Sequence, residues 1–522
     1  MVRMSRVVGL VLALAMGWGA AARAQNMSQA SSGYAQYLAG FEKRTTVKVL
    51  PNGLTLIVCE RPEAPVFSFY TLVDVGSADD PQGASGLAHM FEHIAFKGTT
   101  EIGTTNYAAE KIALATVETA YAAYDAEFRK RVGQDATKLA ALKKAFEDAQ
   151  AAAQKFVVPN QFAELAETNG AVGLNASTEE DSTQYFWSMP SNRLELWAYM
   201  ESGRIAHPVA REFYKERDVV QEERRMRTDS NPIGAMVEQF LATAYVAHPY
   251  RVPTLGWESE ISQVNATEAA AFHAKYYVPA NIVVAVVGDV KAADAMPMLT
   301  KYFGAIPAGP KPEEMTTVEP VQFAEKSVTI REAAQPFYLE GYHKPDYRDP
   351  DDAVYDAITD IFSNGQTSRL FKSLDQQKIA TEAEGFSGFP GEKYPGLFAF
   401  YAVPVPGHTP DELRDAIHKE IDKLKTTDVT DAELLRFKTR ARASVLRGLA
   451  DNQGLAHELA EYQTRYGDWR QLFHQLDEYD KVTKADVRRV ANKVFVESNR
   501  TSARIESPPP AKTATQDAGG AK

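Results

Sequence analysis

The chain has 522 residues, of which 44% are hydrophobic and 24% are charged, and its formal net charge is −12. A chain of this length exceeds what one hydrophobic core usually serves, so two or more globular domains are expected. The acidic charge balance argues against a nucleic-acid partner, whose binding surface would be basic. Because Cys59 is the only cysteine, no intramolecular disulfide can form and stability must come from packed cores.

The first 24 residues have the pattern of an export signal. The basic stretch MVRMSR precedes an apolar run that is short for a membrane span, and ARAQ then offers a cleavage site after Ala24. We expect a cleaved signal peptide at 1–24, a periplasmic location and no later membrane span. An uncleaved signal anchor is the alternative. Residues 25–42 are polar and predict a flexible segment.

The next elements alternate between strand and helix patterns. After strand-like runs joined by an Asn-Gly turn, the stretch GLAHMFEHIAFKG at 86–98 reads as a helix. Residues 105–157 are rich in Ala, Lys, Glu and Leu with helical periodicity and are broken near Gly133. They predict an inserted antiparallel helical hairpin, either a solvated excursion or a partner-binding arm.

A Pro- and Gly-rich stretch at 304–322 is the best candidate for a domain linker. It would separate a first domain at 43–303 from a second domain at 323–506. The tail at 507–522 is rich in Pro, Ala and Gly and should be disordered.

A weak internal repeat relates the two halves. When HMFEHIAFKG is aligned with DAITDIFSNG, the apolar positions are kept while the polar ones change. Repeats of this length indicate two similar domains rather than a solenoid. The residues that face each other in this alignment are His89 and Asp356, Glu92 and Thr359, and His93 and Asp360.

The polar residues of the 86–98 helix have the spacing of half a metal site. His89 and His93 stand on one helix face and can present two imidazoles to one ion. Glu92 lies beside them, where a carboxylate could take a proton from a metal-bound water. A third protein ligand is still required. This five-residue pattern also arises by chance, so the rest of the chain has to decide.

Several further stretches resemble the M16 (pitrilysin-type, inverted zincin) metallopeptidase family. They are VGSADDPQGASGLAHMFEHIAFKGT, GAVGLNASTEEDSTQYF, KERDVVQEE, HPYRVPTLG and YYVPANIVVAVVGDV, in the family's order over most of 43–292. The chain is most similar to the zinc-binding subunit of mitochondrial processing peptidase and to bacterial M16B peptidases. The resemblance implies an α+β fold of two homologous α/β-roll domains, antiparallel-rich sheets packed by helices, forming half of a clam-shell.

The same resemblance implies one Zn²⁺ per chain, held by His89, His93 and a downstream glutamate, with Glu92 as the catalytic base. In ERDVVQEE the glutamate that matches the family's ligand is Glu223. Glu216, two helical turns earlier, matches a supporting residue that orients a histidine.

Two local alternatives accompany this assignment. Glu222 competes with Glu223 but is rotated by about 100° around the helix axis. The other alternative is that the whole stretch is an exposed charged helix face.

The resemblance also assigns a peptide-binding strand to GAVGLNAST. In the family an edge strand here pairs with extended substrate through backbone hydrogen bonds, and Asn175 and Ala176 match its Asn-Ala pair. The alternative is that Asn175 only ends a strand.

The second half departs from the family pattern in an informative way. In many members it supplies an Arg and a Tyr that hold substrate near the zinc, after an SRLF-like element. Here Asp375 and Glu382 stand at those positions, and Arg369 of SRLF itself is expected to be structural. By the resemblance, a metal-free M16-like partner subunit would supply the pair in a clam-like heterodimer, with a homodimer as the less favoured alternative.

The sequence thus predicts a zinc-dependent endopeptidase that hydrolyses peptides or unfolded polypeptides inside a closed chamber. Two other classes stay open, a non-catalytic scaffold with the M16 fold and a subunit that binds peptides without cutting them.

Overall fold

The computed structural model describes residues 38–507. The expected signal peptide at 1–24, most of the expected flexible segment at 25–42 and the tail from residue 508 lie outside the described residues. The strands are β1 (Thr45–Val49), β2 (Thr55–Glu60), β3 (Val66–Val73), β4 (Val172–Thr178), β5 (Thr183–Pro190), β6 (Ile282–Gly288), β7 (Lys326–Arg331), β8 (Phe337–His343), β9 (Ala380–Phe389), β10 (Leu397–Pro404) and β11 (Arg500–Glu506).

The helices surround these strands and include the predicted hairpin. They are α1 (Leu87–Ile94), α2 (Tyr107–Phe128), α3 (Ala136–Gln154), α4 (Gln161–Thr168), α5 (Leu194–Ala206), α6 (Phe213–Arg224), α7 (Pro232–Ala244), α8 (Glu258–Ile261), α9 (Ala266–Tyr276), α10 (Ala292–Phe303), α11 (Asp352–Ser363), α12 (Pro410–Thr426), α13 (Asp431–Gly448), α14 (Asn452–Tyr466), α15 (Gln471–Lys481) and α16 (Lys484–Val494). Between residues 38 and 507, every helix is too short or too polar to cross a bilayer.

The two sheets share one strand order. The first has six strands ordered β1-β2-β6-β3-β5-β4, and the second has five ordered β7-β11-β8-β10-β9. Neighbours are antiparallel except for β2–β6 and β7–β11, which are parallel. Once β1 is set aside, the second sheet repeats the first strand for strand. The predicted α+β fold of two similar sheet-and-helix halves is therefore confirmed.

Both strand and helix patterns follow from the local sequence. β6, with the sequence IVVAVVG, is buried along its whole length because both faces of the sheet are covered. On the helix side, α1 contributes Leu87, Met90, Phe91 and Ile94 to the first core. This apolar face fixes the rotation of the helix that carries the two histidines.

The halves exchange helices, which the sequence analysis did not foresee. α14 belongs to the second half but packs on β3 and β6 through residues such as Leu455 and Leu459. α7 belongs to the first half but packs on β7 and β11 through Met236 and Phe240. The stretch from residue 307 to 323 is neither helix nor strand. The two halves are consequently joined by two buried helices as well as by this segment.

The first described residues, 38–42, belong to the segment at 25–42 that the sequence predicts to be flexible. Residues 38–42 are helical, and Phe41 is buried against Phe473 with its ring centroid 5.4 Å away. The polar composition of 25–42 gives no signal for this contact of Phe41, because its partner lies far along the chain.

Candidate metal centre

The start of α1 is fixed by a carboxylate and a glycine. Asp80 accepts hydrogen bonds from the backbone N–H groups of Gly86 (2.7 Å) and Ala88 (2.8 Å), which satisfies donors that the first helical turn leaves free. Gly86 has φ +83°, and a Cβ there would lie 2.4 Å from the carbonyl oxygen of Leu255. Only glycine fits this position, so the entry angle of the helix is set by backbone contacts.

The facing helix, α6, is held at both ends. Just before it, fully buried Arg211 pairs with Glu110 of the hairpin, with 2.6 Å between Nε and Oε1. At its last residue, Arg224 donates to the carbonyl of Gly256 (2.6 Å) and pairs with Glu238 (2.8 Å). The hairpin therefore takes part in positioning α6.

The structure brings together the three predicted ligands. Oε2 of Glu223 lies 3.8 Å from Nε2 of His89 and 3.4 Å from Nε2 of His93. One donor atom from each of the three side chains lies within 4.8 Å of the other two. Over residues 38–507 this is the only such group of His, Cys, Asp or Glu side chains. Its donors are two imidazoles and one carboxylate.

The two other glutamates of α6, Glu216 and Glu222, point in different directions: Glu216 faces His93 and Glu222 faces solvent. Oε2 of Glu216 lies 3.5 Å from Nδ1 of His93, while Lys97 contacts its Oε1. Glu222 is half exposed and pairs with Arg225 (2.6 Å), facing away from the imidazoles. Glu216 thus lies where a residue that orients His93 should lie, and the competitor Glu222 does not reach the centre.

The electrostatics of the centre favour a positive charge. Burial, together with nearby His93, lowers the pKa of His89 to about 4, so its imidazole is neutral at pH 7. Burial also acts to lower the pKa of His93, but the carboxylates of Glu216 and Glu223 outweigh it and raise that pKa to about 9. The carboxylates therefore attract a cation, which is a proton on His93 when no metal competes.

Glu92 is held by the neighbouring sheet. The hydroxyl of Thr178, the last residue of β4, donates to Oε2 of Glu92 at 2.7 Å. Burial raises the pKa of Glu92, and the hydrogen bond from Thr178 acts in the opposite direction. This places a half-buried carboxylate beside the imidazole pair with its other oxygen, Oε1, outside that hydrogen bond.

The strand that ends at Thr178 forms one edge of the first sheet. β4 pairs only with β5, with Asn175 opposite Phe186 and Ala176 opposite Tyr185. Its other edge is therefore open to an added strand within the described structure. Asn175 lies inside the strand rather than at its end, although its role in binding stays a prediction.

In the second half, Asp375 and Glu382 stand where the family resemblance would place the Arg and Tyr that hold substrate near the zinc. Glu382 accepts a hydrogen bond from Tyr401 (2.7 Å), and burial with nearby carboxylates raises the pKa of Asp375 to about 6. Arg369 pairs with Glu433 (2.9 Å), in line with a structural role.

Three residues around the centre were missed by the sequence analysis. Thr178 lies two residues after Ala176, Lys97 lies one turn after His93, and Arg227 lies one turn after Glu223. The one-turn spacing between Glu223 and Arg227 is a sequence signal for ion pairing that could have been used, whereas Lys97 pairs with Glu216 of a distant segment and has no such signal. The Thr178 contact joins distant segments and has no such signal.

The residues fit a zinc ion by the chemistry of their donor set. Zn²⁺ is commonly bound by imidazole nitrogens and carboxylate oxygens, and two histidines with one glutamate form a set found in hydrolytic sites. Neutral His89 has its lone pair available, and the proton on His93 would be displaced by a metal.

Comparisons with known proteins point to one family. The family described as "Insulinase (Peptidase family M16)" matches residues 57–128, and "Peptidase M16 inactive domain" matches residues 263–440. The chain is 28% identical to "Zinc protease PqqE" of Helicobacter pylori over 514 residues, covering 95% of this chain and 97% of the relative.

Two further similarities extend this result. The chain is 22% identical over 472 residues to "Probable mitochondrial-processing peptidase subunit beta, mitochondrial" of Arabidopsis thaliana, covering 87% of this chain and 77% of the relative. The crystal structure of a protease from Helicobacter pylori superposes with a TM-score of 0.72 at 25% identity, covering 88% of this chain and 99% of that one. Both halves of the chain therefore match family models of M16 peptidases, and the fold matches the solved structure of a protease from Helicobacter pylori.

Proposed function

We propose that this chain is a zinc-dependent endopeptidase whose metal is held by His89, His93 and Glu223. The observation that carries the proposal is the convergence of these three side chains, with Oε2 of Glu223 at 3.4 Å and 3.8 Å from the imidazole nitrogens. The names of the relatives, which include several zinc proteases, support the same chemistry.

Zinc bound there would polarise a peptide carbonyl and lower the pKa of a bound water towards neutrality. Glu92 would accept a proton from the attacking water on its free oxygen and later deliver it to the leaving amine. The hydroxyl of Thr178 fixes the other oxygen of Glu92, so the orientation of the base is set before substrate arrives. Glu216 would hold the ring of His93 through Nδ1.

The open edge of β4 supports a mode of substrate binding. An extended peptide would add to this edge through backbone hydrogen bonds at Asn175 and Ala176. Such bonds do not depend on the side chains of the peptide. The edge ends at Thr178, so a peptide bound there would lie beside Glu92. This favours peptides or unfolded polypeptides over folded substrates.

The wider assembly is also part of the proposal. A metal-free M16-like subunit would supply an Arg and a Tyr where this chain has Asp375 and Glu382, and the two subunits would close a chamber. We further propose domains at 43–303 and 323–506 joined at 304–322, and export to the periplasm after cleavage of residues 1–24. Activity of this chain alone, compared with activity after addition of such a subunit, tests the dependence.

The decisive experiment is metal analysis combined with peptide hydrolysis. Wild type should retain one zinc per chain, and Glu223→Gln should lose both the metal and activity. Glu222→Gln is the matched control, because it removes a neighbouring carboxylate that points to solvent. Equal metal retention in Glu223→Gln and wild type would contradict the ligand set.

Peptide cleavage by wild type and by Glu92→Gln distinguishes the proposed enzyme from two alternative functions. A non-catalytic scaffold or a subunit that only binds peptides would show no cleavage in wild type, either alone or after addition of the partner subunit. In the proposed enzyme, Glu92→Gln keeps the zinc and loses cleavage while peptide binding persists. Cleavage that is unchanged by Glu92→Gln would mean that another group is the base.

A further inference from the structure

The two glutamates that face the imidazoles share one arrangement. In each glutamate, Oε2 is the oxygen that faces His93. Oε2 of Glu223 lies 3.4 Å from Nε2 of His93, and Oε2 of Glu216 lies 3.5 Å from Nδ1 of the same ring. Each has Oε1 engaged by a cation, which is Arg227 at 2.9 Å for Glu223 and Lys97 for Glu216. One oxygen of each carboxylate is therefore already occupied on the side away from the centre.

Arg227 reaches Glu223 from the turn that follows α6. The helix continues into a wider π-helical turn at Arg225–Asp229, a feature often found at functional sites. The guanidinium of Arg227 is 68% exposed, so this ion pair contributes little to folding stability. A role in the centre is a better account of a contact with the proposed ligand itself.

We propose that Arg227 is a positioning residue that holds Oε1 of Glu223 and leaves Oε2 as the single oxygen offered to a metal. This inference rests on the proposed zinc site. A carboxylate can bind a metal through one oxygen or both, and a hydrolytic zinc site needs a position free for water or substrate. With Oε1 occupied by the guanidinium, Glu223 fills one position rather than two.

The chain offers a matched control two residues away. Arg225 is 65% exposed and pairs with Glu222 at 2.6 Å, on the same helical segment but facing solvent. Arg225→Met and Arg227→Met remove the same charge and the same kind of ion pair. They differ in the carboxylate that loses its partner, which is the proposed metal ligand Glu223 in Arg227→Met and the solvent-facing Glu222 in Arg225→Met. Arg227→Lys keeps a charged donor for Oε1 and should restore the wild-type behaviour.

The test uses the full chain loaded with Co²⁺, whose visible absorption reports the number of ligands, alongside zinc affinity from chelator competition. In Arg227→Met we expect a weaker visible absorption, as both oxygens of Glu223 become available. We also expect kcat to fall by about tenfold with KM little changed, the scale typical of losing a group that orients a ligand. Arg225→Met and Arg227→Lys should match wild type in all three measurements.

The possible outcomes are distinct. A wild-type spectrum and kcat in Arg227→Met would overturn the inference, and so would a raised KM at unchanged kcat, because Arg227 would then bind peptide instead. Failure of wild type to bind Co²⁺ or Zn²⁺ would overturn the proposed metal site itself. The first two results leave that site standing.

Discussion

The hydrogen bond between Thr178 and Glu92 gives the sharpest test of how the fold positions the base. Thr178→Val removes the hydroxyl while keeping the β-branched shape that suits the end of a strand. The bond that is lost spans 2.7 Å and ends on a half-buried carboxylate. A hydrogen bond to a charged group contributes about 1.5–3 kcal/mol. If that energy orients the base in the transition state, kcat falls by roughly 10- to 100-fold.

The pH dependence should change in a defined direction. The hydroxyl favours the ionised form of Glu92 and so lowers its pKa. Without it the pKa rises further, and the acid limb of kcat against pH moves to higher pH because the base must be ionised to accept a proton.

The assay is hydrolysis of a fluorogenic peptide by zinc-loaded protein across pH, with metal content measured in parallel. Thr178→Ser keeps a hydroxyl and should retain most of the activity. Metal content should not change in either variant, because Thr178 contacts no proposed ligand directly. A Thr178→Val enzyme with wild-type kcat and an unmoved acid limb would refute the idea that this bond sets the base.

Three further results are expected. Dialysis against a chelator should abolish hydrolysis and one equivalent of zinc should restore it; activity that survives metal removal would exclude zinc catalysis. Glu110→Ala should lower the free energy of unfolding by about 3–5 kcal/mol, measured by urea denaturation, because it leaves the charge of fully buried Arg211 unpaired. Gly86→Ala should also destabilise the protein and reduce metal retention, since its Cβ would meet the backbone of Leu255 at 2.4 Å; full zinc content and an unchanged urea midpoint would show that α1 can shift without loss.

The parts of the candidate metal centre that could be predicted are the spacings of residues along a single helix. The spacing of His89 and His93 on one helix and that of Glu216 and Glu223 on another are periodic signals. The rotation that separates Glu222 from Glu223 follows from the same period, and the structure turns Glu222 to solvent. The close approach of α1 and α6 could not be predicted from helix periodicity. It was expected only because the sequence resembles the M16 family.

The parts that could not be predicted depend on contacts between distant segments. Phe41 packs on Phe473, and Arg211 pairs with Glu110 across the base of the hairpin. Such partners carry no periodic signal, because each is chosen by tertiary packing after the local elements have formed. The exchange of α7 and α14 between the halves has the same origin, since their apolar faces do not specify which sheet they cover.

Helices α1 and α11 follow equivalent strands, β3 and β8, of the duplicated strand order, but within residues 38–507 only the first half brings together three side chains that could hold a metal. The aligned positions of α11 carry Asp356 and Asp360, and both are already satisfied within the second half. Asp356 accepts a hydrogen bond from Tyr479 (2.9 Å), and Asp360 accepts one from Asn364 (2.8 Å) and faces Arg440 (3.4 Å). In the first half the corresponding residues are His89 and His93, and Oε2 of Glu223 lies 3.8 Å and 3.4 Å from their Nε2 atoms. The difference therefore lies in the side chains that the equivalent helices carry and in the partners of those side chains, and not in the place of the helices in the fold.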